Sequence, residues 1–350
     1  MKIQKTELAQ KINKLKAVVP KKHPMPVLQG ILVRDGYLIA NNMEMAVKAK
    51  IEGIEDEYFM IPAKAFDLIG SLPDGEVEVV QGKDRSITIK AAKIKNKYQT
   101  MDPDSFPLAE VPQDNGNEIT IKSNILLQSM KRVSYAISAT STNQAMGALC
   151  LQAENGRLNF VGLDGHVLAW DRIDYDGTFT LLIPKSTIEK ILSLGLNGEI
   201  SIRHNDSSAV FITKEYEVYT RLINGEYFKY QQMFGELPLH TVIARNKLLE
   251  AMTRAKMCTD ERSPVRFEIS GDILNLSIRD NTTDYQETVI LQEELEQELV
   301  IGFDARLIIE TLKAFDCDNI GIQLSSDRMP MIVEAEDSDF RAIVLPVAIK

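Results

Sequence analysis

The sequence predicts an α+β protein made of three similar domains, because a strand that leads into a helix occurs three times. The copies are IPAKAFDLIGSL from Ile61, IPKSTIEKILSL from Ile183 and IGFDARLIIETL from Ile301. In each copy Pro or Gly follows a β-branched residue, and apolar residues then recur at the spacing of a helix face. The copies begin 122 and 118 residues apart, which is one domain length of about 100 to 200 residues.

A second repeated feature keeps the same phase. Residues Leu38–Ile51, Phe160–Ile173 and Leu276–Ile290 each have the pattern of a strand, a polar turn and a second strand. The turn precedes the Pro or Gly of the strand-to-helix copy by 20 or 21 residues each time. Two features with one period favour internal repetition. The alternative is that such joints occur in any α+β chain.

Length and composition fit three globular domains, which we place at residues 1–112, 117–235 and 240–350. The chain has 350 residues, of which 44% are hydrophobic and 26% charged, enough for a core in each domain. It contains no run of about 18 apolar residues and no leader pattern at its start. We therefore expect a cytoplasmic protein without a membrane partner.

Cysteine and histidine spacing predicts neither a metal site nor a cofactor. Three cysteines, odd in number and widely separated in apolar surroundings, are typical of core thiols: Cys150, Cys258 and Cys317. The four histidines lack the HExxH spacing of a zinc site: His23, His166, His204 and His240.

The first helix of each domain is predicted by apolar periodicity. The three are Thr6–Val18, Ser123–Ser138 and Ala244–Met257. In the first of them Leu8, Ile12 and Leu15 form the apolar face, and Lys11 and Lys14 are expected to point away from it. With the strand-to-helix copies, each domain then holds two helices and several antiparallel strands.

Turn residues divide the strands between these helices. Asp35-Gly36, Asn155-Gly156 and Asp164-Gly165 are dipeptides typical of tight hairpin turns. The acidic run Glu293, Glu294, Glu296 and Glu298 is expected to be a solvated loop and not a metal site.

Charge is segregated between the helices and the remainder of the chain. The predicted helices carry 14 basic and 6 acidic residues, although the chain as a whole has a net charge of −10. Helices on one common surface would form a positive track that holds a phosphate backbone without reading its sequence. No aromatic platform for single-stranded bases accompanies it, so duplex is favoured. The alternative is that lysine is common on any surface helix.

Nine helix cations are therefore predicted to face DNA. They are Lys11, Lys14, Lys64, Lys131, Arg132, Lys185, Lys190, Lys247 and Arg254.

The segment FVGLDGHVLA, Phe160–Ala169, resembles the Thr-Asp-Gly-His-Arg-Leu-Ala turn of the bacterial DNA polymerase III beta subunits, the sliding clamps. Three further segments resemble family segments in the family's order: His23–Val33, Arg221–Tyr230 and Ala342–Lys350. The resemblance implies a head-to-tail homodimer of three-domain chains, closed into a ring with helices inside and sheets outside. It implies a DNA replication protein that encircles duplex DNA and tethers the polymerase for processivity, without catalysis of its own.

The resemblance also implies a partner site, an apolar pocket between the second and third domains that accepts short peptides rich in Gln, Leu and Phe. The expected partners are the DNA polymerase III alpha subunit, the clamp loader and other proteins with such peptides. The matching positions are Ala145, Leu163, His166, Val167, Leu168, Phe228, Met233, Leu307, Ile343, Leu345 and Val347. Three depart from the family: Val167 replaces Arg, Leu163 replaces Thr, and Phe228 replaces Pro. We expect a drier and narrower pocket.

The resemblance adds positions at the DNA and at the dimer seam. Lys22 matches an Arg of the family, and Lys185 and Lys64 hold comparable places in the second and first domains. Met257 and Cys258 match interface positions, and Tyr98 faces them across the seam.

One alternative function belongs to a different class. Asp164 and His166 could serve as a carboxylate and base pair in a cytosolic α+β repeat hydrolase. The pair lies two residues apart beside a turn and lacks a nucleophile, so a structural role of the turn is favoured.

Overall fold

The computed structural model describes residues 1–113, 118–258, 264–279 and 283–349. The chain divides into two compact units, one of residues 1–126 and 189–222, the other of residues 127–188 and 223–350. The third repeated turn, around Asn281, lies outside the described residues. Helices and antiparallel sheets in both units confirm the predicted α+β class.

Six α-helices lie in the part of the chain that the structure describes. They are α1 Lys5–Leu15, α2 Phe66–Ser71, α3 Ser123–Ser134, α4 Lys185–Leu194, α5 Arg245–Met257 and α6 Ala305–Ala314. Two end earlier than predicted, α1 at Leu15 instead of Val18 and α3 at Ser134 instead of Ser138. Short turns follow both ends, which apolar periodicity alone does not distinguish from helix.

Twenty-two strands accompany the helices in the described ranges. The first nine are β1 Lys2–Gln4, β2 Gly30–Arg34, β3 Tyr37–Asn41, β4 Met45–Lys50, β5 Phe59–Pro62, β6 Glu76–Gly82, β7 Ser86–Ala91, β8 Ile94–Gln99 and β9 Ile119–Lys122. The next seven are β10 Ala148–Glu154, β11 Arg157–Leu163, β12 Val167–Asp174, β13 Phe179–Pro184, β14 Glu199–His204, β15 Ser208–Ile212 and β16 Tyr216–Arg221. The last six are β17 Leu239–Ala244, β18 Val265–Arg279, β19 Asp284–Phe303, β20 Asn319–Leu324, β21 Met331–Glu334 and β22 Arg341–Val344.

The strand-to-helix copies are confirmed in all three places. Strand β5 ends at Pro62 and leads through a short 3₁₀ turn into α2, and β13 ends at Pro184 directly before α4. Strand β19 ends at Phe303, and Asp304 caps α6 by accepting a hydrogen bond from the backbone N–H of Arg306. A proline is tolerated at these strand ends because it has no N–H to place in the ladder.

The first unit contains two antiparallel sheets. One has the order β1-β6-β7-β8, and the other the order β5-β2-β3-β4-β16-β15-β14-β9. The larger sheet is joined by β4 and β16, where Val47 lies opposite Val218. Its first four strands therefore come from the first repeat and its last four from the second.

The second unit has a sheet of the same kind and a long hairpin. The sheet order is β13-β10-β11-β12-β22-β21-β20-β17, joined by β12 and β22, where Leu168 lies opposite Ile343. The second repeat thus contributes β9 and β14 to β16 to one unit and β10 to β13 to the other. The domain limits 1–112, 117–235 and 240–350 remain a prediction, because the compact units do not follow them.

The long hairpin corrects the prediction for the acidic run. Strands β18 and β19 pair along most of their length, with bulges around Gly271, and residues 293–298 lie inside β19 instead of in a loop. Leu291, Leu295 and Leu299 are buried on one face of this strand, and the four glutamates between them are exposed. The run is solvated as expected, but the leucines hold it in the sheet.

Turn chemistry is confirmed at two hairpins. Asp35 and Gly36 have φ of 52° and 80°, and Asn155 and Gly156 have φ of 52° and 75°. Two successive positive φ angles are what a two-residue hairpin turn of the favoured twist requires. None of the described helices is long and apolar enough to span a membrane.

Candidate functional site

An apolar cluster in the second unit gathers four of the residues that the sequence assigned to a pocket. Ala145, Leu163, Leu168 and Ile343 are all buried in it. The pairing of β11, β12 and β22 explains their meeting, since Leu163 lies opposite Leu168 and Leu168 opposite Ile343. These residues form the floor of the candidate pocket.

The other predicted pocket residues, apart from Val167, are more exposed than this floor. Met233, Leu345 and Val347 expose 46%, 39% and 39% of their area, and Phe228 is half-buried against the cluster. His166 is exposed, and Leu307 is half-buried on α6. Exposed apolar side chains above a buried apolar floor are suited to a peptide anchor.

Val167 differs from this pattern. It is only 1% exposed and lies opposite Val344 in the sheet. Its side chain is part of the packed core in this conformation, so it contributes support to the pocket and not an open contact surface. At this position, where the resemblance implies an arginine, the chain therefore presents no long cationic side chain.

The segment that carries Leu345 and Val347 is held by its backbone. The N–H of Leu345 donates to the carbonyl oxygen of His166 at 2.9 Å, and the N–H of Val347 donates to that of Gly302 at 2.8 Å. A Cβ at Gly302 would lie 2.7 Å from the carbonyl oxygen of Val347. The absence of a side chain at Gly302 is what permits this close approach.

The turn before β12 uses the carboxylate of Asp164. Its Oδ1 accepts hydrogen bonds from the N–H groups of His166 at 2.8 Å and Val167 at 2.9 Å, while Gly165 has a φ of 92°. This is an Asx turn, in which the side chain replaces a backbone acceptor. The geometry accounts for Asp164 without any catalytic role.

Sequence reasoning missed a set of aromatic residues beside the pocket. The ring of Trp170 lies 5.3 Å from that of Tyr230 and 5.2 Å from that of Phe234. Trp170 Nε1 donates to Asn159 Oδ1 at 2.9 Å, and the Tyr230 hydroxyl donates to Gln152 Oε1 at 2.8 Å. Buried rings with satisfied polar atoms form a rigid wall.

Burial of this wall also suppresses its ionisation. It raises the pKa of the Tyr227 and Tyr230 hydroxyls far above their usual range. Burial, with a smaller contribution from Glu154, raises the pKa of the Cys150 thiol to about 12. Cys150 is the core thiol that the sequence predicts, whereas Cys258 and Cys317 are only half-buried.

The predicted DNA-facing cations differ in their solvent exposure and in whether their charged groups are hydrogen-bonded. Lys22, Lys64, Lys131, Lys247 and Arg254 are exposed. Lys185 is half-buried and donates through Nζ to the carbonyl oxygen of Ile137 at 2.6 Å.

Lys11 corrects the sequence analysis. It is 8% exposed, its Nζ lies 2.7 Å from Glu215 Oε2, and it sits 4.5 Å above the ring of Tyr216. Lys11 therefore points into the protein and not away from the apolar face of α1. Its alkyl stem packs in the core while its charge is paired at the edge.

Lys14 and Lys190 bind each other's helices. Lys14 Nζ donates to the carbonyl oxygen of Ser193, and Lys190 Nζ donates to the carbonyl oxygen of Lys14. Burial, and next the charge of Lys14, lower the pKa of Lys190 to about 8. Both lysines are thus engaged within the first unit.

Two arginines are held by carboxylates. Arg132 lies between Asp171 and Asp316, with Nη–Oδ distances of 3.4 and 3.2 Å. Arg254 Nε donates to Glu287 Oε2 at 3.0 Å, and this hydrogen bond lowers the pKa of the Glu287 carboxyl.

The residues predicted for a dimer seam lie in different units. Met257, at the end of α5, is 79% exposed, and Cys258 beside it is half-buried. Tyr98 is half-buried on β8, the edge strand of the four-stranded sheet. An exposed methionine of this extent is a feature of contact surfaces.

Two family models match the chain. The model of the DNA polymerase III beta subunit, N-terminal domain, matches residues 1–110. The model of the DNA polymerase III beta subunit, C-terminal domain, matches residues 237–348.

Relatives and solved structures match along the whole chain. The beta sliding clamp of Pseudomonas aeruginosa is 22% identical over 99% of this chain and 98% of its own, and that of Chlamydia muridarum is 24% identical over 95% and 94%. The DNA polymerase sliding clamp of Bacillus subtilis has a TM-score of 0.92 at 17% identity, covering 100% of this chain and 99% of its own. A sliding clamp of Pseudomonas aeruginosa bound to griselimycin has a TM-score of 0.92 at 22% identity, covering 100% and 99%.

Proposed function

We propose, because the chain belongs to the DNA polymerase III beta subunit family, that it is a DNA sliding clamp. It encircles duplex DNA and tethers the replicative polymerase, so that the polymerase remains on its template through many cycles. The observation that carries the proposal is the match of two models of one family to the two ends of the chain, with relatives matched along its full length. The hydrolase alternative has no support among the relatives. The Asp164 carboxylate accepts a backbone hydrogen bond in its Asx turn, which accounts for its presence.

The clamp has three domains, residues 1–112, 117–235 and 240–350, and closes as a head-to-tail homodimer. The residues matched by the two family models, 1–110 and 237–348, support the first and third limits. The exposure of Met257 supports a seam at the end of α5. Tyr98 and Cys258 complete that seam in the proposal. The dimer acts in the cytoplasm and performs no chemistry of its own.

DNA passes along a surface formed by the basic helices. Lys22, Lys64, Lys131, Lys247 and Arg254 are the cations whose exposure supports this role. Contacts with phosphates alone suit a sliding protein, because they carry no sequence information. Lys14 and Lys185 add their charge to the same surface, although their amino groups are engaged by backbone carbonyls.

The apolar pocket of the second unit receives peptides of the polymerase alpha subunit, the clamp loader and other partners. Its buried floor around Leu168 and Ile343, with Leu345 and Val347 exposed beside it, supports a leucine or aromatic anchor. A single anchor buried in such a pocket contributes most of the binding energy of a short peptide.

Retention on circular DNA tests the clamp function. The protein, labelled and loaded on a nicked plasmid by a clamp loader, should remain bound in high salt and leave when the plasmid is cut once. This result is specific to a topological link, because a protein held by charge alone dissociates in salt from both forms. Equal dissociation from circular and linear DNA would contradict the proposal.

Peptide binding tests the pocket separately. A fluorescent peptide of the Gln-Leu-x-Leu-Phe type should bind the protein and should lose affinity at least about tenfold with Leu345→Asp, since a buried charge is costly. Ile273→Asp is the matched control, because Ile273 is 40% exposed in the same unit, like Leu345 at 39%, but lies on β18. Equal loss with both variants would argue against the assigned pocket.

A further inference from the structure

We propose that this pocket selects partner peptides that are neutral or basic beside their apolar anchors and discriminates against acidic ones. The inference rests on the proposed function of the pocket as a peptide site and adds the charge of its ligand. It follows from the side chains of the floor and of the rim. The rim consists of residues 142–147, 164–166, 223–237 and 345–349.

The floor carries no charge. The floor residues are apolar, and the aromatic wall beside them adds the indole of Trp170 and the hydroxyl of Tyr230. The polar atoms of both rings are bound to amide oxygens of Asn159 and Gln152. Burial keeps the Tyr230 hydroxyl protonated, because its pKa is raised far above the usual range. A peptide carboxylate that entered would lose hydration. The guanidinium of Arg172, 5.2 Å from the Trp170 ring, is already paired with Asp339 at 2.9 Å.

Two segments of the rim contain no ionisable side chain at all. Residues 142–147, which include Ala145, have the sequence TNQAMG, and residues 345–349 have the sequence LPVAI. Val167 is buried in the sheet, so β12 offers no cation from its first position. Amides, methyl groups and aliphatic chains are what these segments present.

The remaining rim segments carry more acids than bases. The turn before β12 contributes the carboxylate of Asp164, which accepts hydrogen bonds from two backbone N–H groups. Residues 223–237 contribute Glu226, Lys229 and Glu236, all exposed.

Two further charged groups lie at the borders of the rim. Glu154 is linked to the rim by a hydrogen bond from Gln231 Nε2 at 2.6 Å. Asp304 and Arg306, at the start of α6, neutralise each other through a contact of 2.8 Å. Lys229 is therefore the one lysine or arginine without an ion pair among these described rim residues, against four carboxylates. The exposed His166 is the one histidine among them.

The expected discrimination is moderate because the rim is wet. Unit charges a few ångströms apart in water interact only weakly, and physiological salt screens them beyond about 8 Å. Two lysines in place of two glutamates next to an anchor should change the affinity by about tenfold at low salt. The difference should fall below about twofold at 0.5 M salt.

The experiment compares three labelled peptides with the same Gln-Leu-x-Leu-Phe core and two flanking Lys, Ser or Glu residues. Anisotropy with the full-length protein should give affinities in the order Lys, Ser, Glu. A Lys-flanked peptide with Ala at its anchors controls for attraction to the net charge of the whole protein and should not bind measurably. Equal affinities, or tighter binding of the Glu peptide, would overturn the charge preference alone.

A double variant assigns the preference to the rim. Glu226→Gln with Glu236→Gln should reduce the Lys-to-Glu affinity ratio at least threefold, whereas Glu189→Gln, an exposed glutamate on α4, should leave it unchanged. An unchanged ratio in the double variant would reject the rim as its origin. Failure of all three peptides to bind would instead reject the pocket as a peptide site, and the charge preference with it. The clamp function itself would still be decided by retention on circular DNA.

Discussion

Lys14 and Lys190 each donate a hydrogen bond to a backbone carbonyl near the end of the other's helix. Lys14, on α1, reaches Ser193 in the last turn of α4, and Lys190, on α4, reaches the carbonyl of Lys14 itself. Helix C-termini have unpaired carbonyls and a partial negative charge, which a lysine satisfies. The two cations thus fasten helices of two repeats within the first unit.

The buried amino group of Lys190 predicts a pH-dependent stability. Its folded pKa of about 8 lies below the ordinary value of 10.5, so the unfolded chain holds this proton more tightly. Between pH 8 and 10.5 the unfolded state binds more protons, and the contribution of Lys190 to the unfolding free energy should rise with pH. Lys190→Met should remove that rise, measured by urea unfolding at several pH values.

The comparison requires a lysine that is not buried. Lys247→Met alters an exposed lysine and should follow the wild-type pH profile. If the Lys190→Met and wild-type profiles run parallel from pH 8 to 10.5, the amino group is not desolvated as described.

Arg132 is predicted to stabilise the second unit through a buried carboxylate. Asp171 is only 2% exposed, and Arg132 is its ion-pair partner. Arg132→Met should cost about 3 kcal/mol of unfolding free energy, because it leaves a buried charge without its partner. Asp171→Asn in the same chain should recover part of this loss in chemical denaturation. A loss from Arg132→Met below about 0.5 kcal/mol would show that water compensates the carboxylate.

Gly302→Ala should damage the pocket without contacting a ligand. The new Cβ would approach the carbonyl oxygen of Val347 to 2.7 Å and the side chain of Ile349 to 2.8 Å. Relief requires the C-terminal segment to move, so we expect a loss of about 1 to 3 kcal/mol in stability and weaker peptide binding. Gly70→Ala, inside helix α2 where no atom lies within 4 Å, should leave peptide binding unchanged and should not destabilise the protein, because alanine favours a helix more than glycine does. Unaltered peptide affinity in Gly302→Ala would mean that the segment position is not required.

Release of Arg254 is predicted to strengthen DNA binding. Arg254 is exposed but held by Glu287. Glu287→Gln removes the charge that competes with phosphate, so the affinity for duplex should rise. The slope of log K against log salt should become steeper by about one unit, as for one additional phosphate contact. Anisotropy of a labelled duplex between 50 and 200 mM salt measures both. Glu268→Gln makes the same charge change beside Arg266; an equal effect there would reduce the result to net charge.

Local pattern was sufficient for the fold class and for the repeated joints. Proline at a strand end and Asp-Gly or Asn-Gly at a turn have backbone preferences of their own. The local sequence is therefore enough to recognise these features. The acidic part of β19 was mistaken for a loop because the strand's buried leucines recur every four residues, a spacing that resembles a helix more than a strand.

The burial of Lys11 had a signal in the sequence. Residues 8, 11, 12 and 15 are the i, i+3, i+4, i+7 stripe of α1, and all four are buried. Only Glu215 and Tyr216, about two hundred residues away, make a lysine acceptable there. Long-range partners of this kind are not visible in local spacing.

The resemblance predicted candidate pocket residues on strands and on irregular segments alike, but it did not predict the aromatic wall. Leu168 and Ile343 lie on paired strands, so resemblance and sheet alternation agree on them. Tyr227, Tyr230 and Phe234 lie in the irregular segment between β16 and β17, although Tyr230 is 2% exposed. Their role depends on tertiary packing that no periodicity encodes.

The sharing of strands between repeats has a consequence for any attempt to cut this protein into pieces. The middle repeat does not form a complete sheet by itself. One hydrogen-bonding edge of β16 is paired with β4 of the first repeat, and one edge of β12 is paired with β22 of the third. An isolated fragment of residues 117–235 would present both bare edges to other molecules, a condition that leads to edge-to-edge aggregation. Three copies can be counted along the sequence, yet the chain forms two compact units, and the middle copy belongs partly to each.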